Sequence, residues 1–243
     1  AYIRIMHLLK SRRVIVNRVE KIDDLVAVRS ALISVSNKEG LDGLLVGLAG
    51  ACPGIKIYST GGTFSVIESL IEEKGLGDRL TLISISDYTG QPEMQGGLVK
   101  TLDYRIYLGL LSETYNDDHR KDIQRNDAID FDLTVVNLYP FQQTVAAPGC
   151  KLEDARANID IGGPTMIRAS AKNYLRVTTM CDPLQYPMLI SELDRNHGKT
   201  GLKFRFEAAK TAFSHTANYD SAISSYLDKT ALDSHQYQLE NKE

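Results

Sequence analysis

Hydrophobic and polar positions alternate along the chain in two registers, short buried-type runs and longer stretches of helical spacing. Ala31 to Val35 is a short apolar run of the strand type. Ser36-Asn37-Lys38-Glu39 follows with the spacing of a capping box, which predicts a helix running through Leu48. Ile55 to Tyr58 repeats the strand pattern, and Ser59-Thr60-Gly61-Gly62-Thr63 leads into a helix expected to begin near Phe64. Leu80 to Ile85 predicts a third strand, and Asp87 to Gly97, with its Pro and Gly residues, predicts a loop. Ile106 to Leu111 reads as a strand-like apolar run, and Asp132 to Asn137 as a buried strand entering the turn Leu138-Tyr139-Pro140-Phe141.

Helical spacing returns at Leu152 to Asn158 and around Thr165 to Lys172. Arg176 to Cys181 is a late strand, Asp182-Pro183 opens another helix, and Ala208 to Leu227 closes the pattern as a helix. Strands alternating with helices predict an α/β fold with a largely parallel, Rossmann-like sheet flanked by helices, and additional helices at the C-terminal end.

Composition narrows the function. With 43% apolar residues in 243, the chain can bury a full core. Its formal net charge of −3 provides no positive field for nucleic acid or an acidic membrane surface, so a small molecule is the expected partner. No apolar run approaches the roughly 18 residues of a membrane span. Cys52, Cys150 and Cys181 lack zinc or redox spacing, and the five histidines are scattered; a reducing, cytoplasmic setting without metal is expected. Residues 1–29 carry seven basic side chains before or around the first acid, Glu20, and read as a basic N-terminal extension. Residues 30–228 form the expected domain, and 229–243 a tail.

In such sheets ligands bind beyond the carboxyl ends of the strands, where helix N-termini present free amides. Ser34, Ser36, Asn37 and Lys38 form one candidate turn there, and Thr60, Gly61, Gly62 and Thr63 another; hydroxyls, one cation and glycine backbone together suit a phosphate. Each turn alone is equally compatible with a plain helix cap. Taken singly, Lys100 fits a surface lysine, Tyr139 a core or rim aromatic, Asp160 a cap for the helix after Gly163, and Lys172 a partner for a helix dipole.

Taken in order, however, the motifs resemble the IMP cyclohydrolase domain of the bifunctional purine-biosynthesis enzyme family, whose other half is AICAR transformylase. They are Ser34-Val35-Ser36-Asn37-Lys38, Thr60-Gly61-Gly62-Thr63, Asp87 to Met94, Val99-Lys100-Thr101-Leu102, Asn137-Leu138-Tyr139-Pro140-Phe141, Ile159-Asp160-Ile161-Gly162-Gly163-Pro164-Thr165 and Ala171-Lys172-Asn173. The resemblance spans Ala31 to Leu227 and implies a methylglyoxal-synthase-like fold. It implies that Ser34, Ser36, Asn37, Lys38 and Thr60 to Thr63 hold phosphate and ribose, and that Thr101, Asn137, Asp160 and Ile161 line the nucleotide. Lys100, Tyr139, Asp160 and Lys172 are implied to close the ring. No cofactor is implied. Partners are a nucleotide substrate, with room for a homodimer and for a separate AICAR transformylase.

Three departures stand out. The family's usual Arg-Val-Lys-Thr-Leu-His-Pro is Leu98-Val99-Lys100-Thr101-Leu102-Asp103-Tyr104 here; its aspartate before the phosphate-site lysine is Asn37; and the resemblance stops after Leu227, without the transformylase half. A non-catalytic nucleotide-binding module of the same fold, or a methylglyoxal synthase, is the rival expectation. The first has no use for a proton-transfer set such as Lys100, Tyr139, Asp160 and Lys172, and the second lacks the motifs at Asn137 to Phe141 and Ile159 to Gly163.

Overall fold

The computed structural model describes residues 17–91, 101–232 and 237. Its centre is a five-stranded parallel sheet in the order β4-β3-β2-β5-β6, built from β2 (Ser30–Val35), β3 (Ile55–Ser59), β4 (Leu80–Ser84), β5 (Leu133–Asn137) and β6 (Thr178–Met180). Leu32 and Ile33, on opposite faces of β2, are both fully buried, as a strand covered on both sides requires. β1 (Leu25–Ala27) pairs antiparallel with β7 (Lys199–Gly201) in a separate ribbon. Residues 25–27 of the basic N-terminal stretch are therefore joined to the body.

One face of the sheet packs against α1 (Leu41–Ala51) through Leu44, Leu45 and Leu48, and against α9 (Tyr186–Arg195) through Leu189 and Leu193. α2 (Gly61–Lys74) adds Ile67 to that layer. The other face is covered by α4 (Tyr104–Leu111), α8 (Gly162–Lys172) and α10 (Leu202–Lys229), contributing Ile106, Leu110, Met166, Ile167, Ala209 and Ala212. Short helices α3 (Ile85–Thr89), α5 (Asp117–Arg125), α6 (Phe141–Ala146) and α7 (Leu152–Ala157) fill the connections. Among the described residues, no helix is long and apolar enough to cross a membrane.

Several sequence expectations are corrected. Ile106 to Leu111 is helical: Asp103 caps α4 by accepting from the Arg105 amide at 2.8 Å, and Gly109 packs so closely on Ile129 and Phe131 that no side chain would fit. A short apolar run cannot by itself distinguish a strand from a buried helix. The capping box at Ser36 does not form. α1 begins five residues later at Leu41, after Gly40 turns the chain at φ 68°, and Asn37 Oδ1 accepts only the local Glu39 amide at 2.9 Å. α2 starts at Gly61 rather than Phe64, Ile85–Thr89 is a short helix running from the last residue of the expected third strand into the start of the expected loop, and Asp182 caps a 3-10 turn, Pro183–Gln185, that runs into α9.

Candidate active site

The chain leaves central β2 toward β3 on one side, while β5 flanks it on the other, so the strand order reverses between β2 and β5. The gap beyond their carboxyl ends is where an open parallel sheet accommodates a ligand. A cleft of about 500 Å³ lies there. Among the described residues lining it, Lys38 is the one cation and Asp160 the one carboxylate.

One wall is the pair of turns after β2 and β3. Ser34 Oγ stands 3.2 Å from Thr60 Oγ1, which joins the two turns. Thr60 makes no side-chain cap on α2, so the amides of Gly61 and Gly62 open this wall to an anion. Nothing lies within 4 Å of the space a Gly62 Cβ would take. Lys38 folds its ammonium back to the carbonyls of Val35 and Ser36, the latter at 3.3 Å, and burial lowers its pKa.

Two expected phosphate ligands have other employment. The Thr63 side chain is buried, and its hydroxyl exchanges hydrogen bonds with the Val35 backbone at 3.0 and 3.1 Å. Asn37 is exposed and directs its side chain to Glu39, outside the cleft lining. Asn137 is likewise occupied: its Oδ1 accepts the amides of Ser36 at 2.6 Å and Asn37 at 2.9 Å, and its Nδ2 donates to the Asn37 carbonyl at 2.9 Å. It lines the cleft while shaping the turn beside it.

The opposite wall is the turn Asn158–Gly163 leading into α8, together with Tyr139 after β5. Asp160 Oδ1 accepts the Gly163 amide at 2.8 Å, and the Tyr139 amide also donates to this carboxylate. Burial nevertheless dominates and raises the Asp160 pKa above the ordinary aspartate value. Tyr139 and Ile161 stand exposed at the mouth, 54% and 57% accessible, ready to meet a ligand. Thr101 is buried with its hydroxyl against Gly162, and a Cβ at Gly162 would come within 2.7 Å of it.

Lys100 and Leu98 lie outside the described residues. Lys172 is not brought to the cleft. It is exposed on the last turn of α8, roughly 15 Å along the helix from Gly162 at the usual rise per residue. Val136, Asn158 and Met166 also line the cleft without having been expected, as does Leu102. Val136 and Met166 belong to ordinary apolar patterns, so nothing local marked them as cleft residues.

The cleft thus lies at the switch point of a parallel α/β sheet, with the uncapped Gly61–Gly62 turn facing a half-buried carboxyl and an exposed phenol. Comparison with known proteins is more specific. Residues 51–165 match the MGS-like domain, and residues 170–243 match the AICARFT/IMPCHase bienzyme family. The chain is 46% identical over 202 residues to the bifunctional purine biosynthesis protein PurH of Trichormus variabilis, covering 83% of this chain and 38% of that protein. Against PurH of Neisseria gonorrhoeae it is 43% identical over 200 residues, covering 82% and 36%. The crystal structure of ForH superposes with a TM-score of 0.65 at 26% identity, covering 82% of this chain and 98% of ForH. The chain belongs to the AICARFT/IMPCHase family and has its MGS-like α/β fold. It spans 36–38% of the length of these curated relatives.

Proposed function

We propose that this chain is an IMP cyclohydrolase, closing 5-formamidoimidazole-4-carboxamide ribonucleotide to IMP with loss of water, and running the reverse hydrolysis. The observation that carries the reading is the two-walled cleft: uncapped amides at Gly61 and Gly62 face the Asp160 carboxyl and Tyr139 across one space. Phosphate on the first wall presents the base to the second. Its relation to the PurH proteins supports the same reaction.

In the reaction the carboxamide nitrogen attacks the formyl carbon and a C–N bond forms. The formyl oxygen gains charge and takes a proton as the attacking nitrogen loses one; the hydroxyl then takes a second proton and leaves as water while the former formamide nitrogen gives up its own proton and the ring C=N bond forms. Asp160, whose pKa burial raises, is suited to take up and return a proton, and the Tyr139 phenol can orient the amide and pass protons at the mouth. Lys100, by the family resemblance, is proposed to stabilise the oxyanion. Both reacting groups sit on one molecule, so positioning supplies much of the acceleration. Lys172 is given no step. A formyl-transferring partner, either a separate AICAR transformylase or one joined to this domain, is proposed to supply the substrate, and the three free thiols suit a cytoplasmic setting.

Incubating the purified chain with the formylated nucleotide and following ultraviolet absorbance is expected to show IMP forming in proportion to protein. Conversion at only the protein-free rate overturns the catalytic reading, and a thermal shift with IMP in that case assigns a nucleotide-binding module instead.

A further inference from the structure

Tyr219 sits in the middle of α10, 59 residues from Asp160, and touches both loops that carry the reacting groups. Its hydroxyl accepts the Asp160 backbone amide at 2.9 Å and donates to the Asn158 carbonyl at 3.4 Å. Its ring meets Phe141 edge-on, with centroids 6.2 Å apart. Phe141 is buried two residues beyond Tyr139, and also meets the Tyr226 ring edge-on with centroids 5.8 Å apart. One side chain thus ties the Asp160 turn and the Tyr139 turn to the same helix.

We propose that Tyr219 is the positioning residue of the site: its hydroxyl fixes the Asn158–Asp160 turn and its ring fixes the Tyr139–Phe141 turn, setting the separation of carboxyl and phenol. The proposal rests on the cyclohydrolase reading for its kinetic consequence, while its structural content does not. Burial keeps the Tyr219 phenol protonated, so the hydroxyl can donate and accept at once. A turn anchored through one amide and one carbonyl loses both bonds when the hydroxyl goes, although the ring still packs. Displacements of about 1 Å at a reacting group cost on the order of 10²-fold in rate.

The test is Tyr219→Phe, which retains the ring and removes only the oxygen. Three quantities are read: kcat and KM for ring closure, the Asp160 carboxyl midpoint by carbon NMR with Asp160→Asn for assignment, and amide exchange at Asp160 in the unsubstituted protein. The expected result is a kcat lower by roughly 10–100-fold with KM within about twofold. The Asp160 midpoint should fall toward the ordinary aspartate range as the turn opens to water, and the Asp160 amide should be protected in the unsubstituted protein. Wild-type kcat with an unmoved midpoint in Tyr219→Phe overturns the proposal, as does free exchange of that amide before any substitution. If the unsubstituted protein makes no IMP, the cyclohydrolase reading falls; the midpoint and the exchange rate then decide the role of Tyr219 alone. A purely packing role would lower the melting temperature and leave both the midpoint and kcat in place.

Discussion

The Thr63 hydroxyl donates to the Val35 carbonyl at 3.0 Å and accepts from the Val35 amide at 3.1 Å, so one side chain closes both backbone groups at the end of the central strand. Both residues are buried, with Val35 at 4% and Thr63 at 5% exposure, and no solvent replaces a lost bond. Thr63→Val keeps the shape, strips the buried Val35 amide of its hydroxyl partner and leaves the Val35 carbonyl to the Lys38 ammonium alone, an expected loss of about 1–3 kcal/mol in urea unfolding. IMP affinity should fall with it, because this bond sets the two turns side by side. Thr63→Ser should recover most of both, and equal stability of the Val variant would show that the turns are held by other contacts.

Asp160 gives a pH signature. Its folded-state pKa is raised, by burial first, so between the unfolded value and the folded one the native carboxyl holds a proton that the unfolded chain has released. The native state binds more protons in that window, and stability therefore falls as pH rises through it. Melting curves against pH should show this slope in the unsubstituted protein and a shallower one in Asp160→Asn, where Asp132, also raised by burial, still contributes in the same direction. Turnover in that variant is expected to drop about 10²-fold or more, the usual order for a lost proton-transfer group. Unchanged turnover would remove Asp160 from the mechanism.

Much of this arrangement is legible in the sequence, because it depends on local patterns. The strand runs at Ala31 to Val35 and Ile55 to Tyr58, followed by hydroxyl- and glycine-bearing turns, locate one wall of the cleft, and Ile159 to Gly163 locates the other. What local pattern cannot show is how a polar side chain is spent. Ser36 has the spacing of a cap, yet its amide is drawn to Asn137, 101 residues away, and the helix starts later. Thr63 has the look of a phosphate ligand, yet its hydroxyl serves Val35. Lys172 falls within a family motif, but ten residues of helix carry it away from the turn it was grouped with. Tyr219 and Arg205 act through partners distant in sequence and have no local signature at all.

Arg205 is fully buried in α10, and its guanidinium donates to five backbone carbonyls: Asp23 and Asp24 near β1, Tyr174 and Leu175 before β6, and Thr200 in β7. It joins the N-terminal segment to the body by hydrogen bonds, and among the described residues no carboxylate forms an ion pair with it. Arg205→Met should cost about 3–5 kcal/mol, since five carbonyls, one buried and four part-buried, lose their charged donor together. Limited proteolysis should then cut first near Asp23 and Asp24, while IMP binding in the protein that remains folded is preserved. A loss below about 1 kcal/mol, within the range of ordinary surface substitutions, would mean that these carbonyls find water at little cost.

Two glycines on opposite walls separate folding from binding. At Gly163 a Cβ would lie 2.5 Å from Asp160 Oδ2 and 2.6 Å from Leu138 Cδ2, so Gly163→Ala must push the carboxylate from its place or shift the start of α8. Its expected effect is loss of turnover together with a lower melting temperature. At Gly62 nothing lies within 4 Å of the added carbon, and the residue is in the first turn of α2, where alanine is the better helix former by up to about 1 kcal/mol. Gly62→Ala should therefore fold at least as well as the parent. The new methyl enters the space proposed for the phosphate, and IMP affinity by calorimetric titration should weaken by about tenfold or more, the equivalent of roughly 1.4 kcal/mol. A Gly62→Ala protein with undiminished stability and undiminished affinity would place the phosphate elsewhere in the cleft and leave the glycine pair with a purely conformational role.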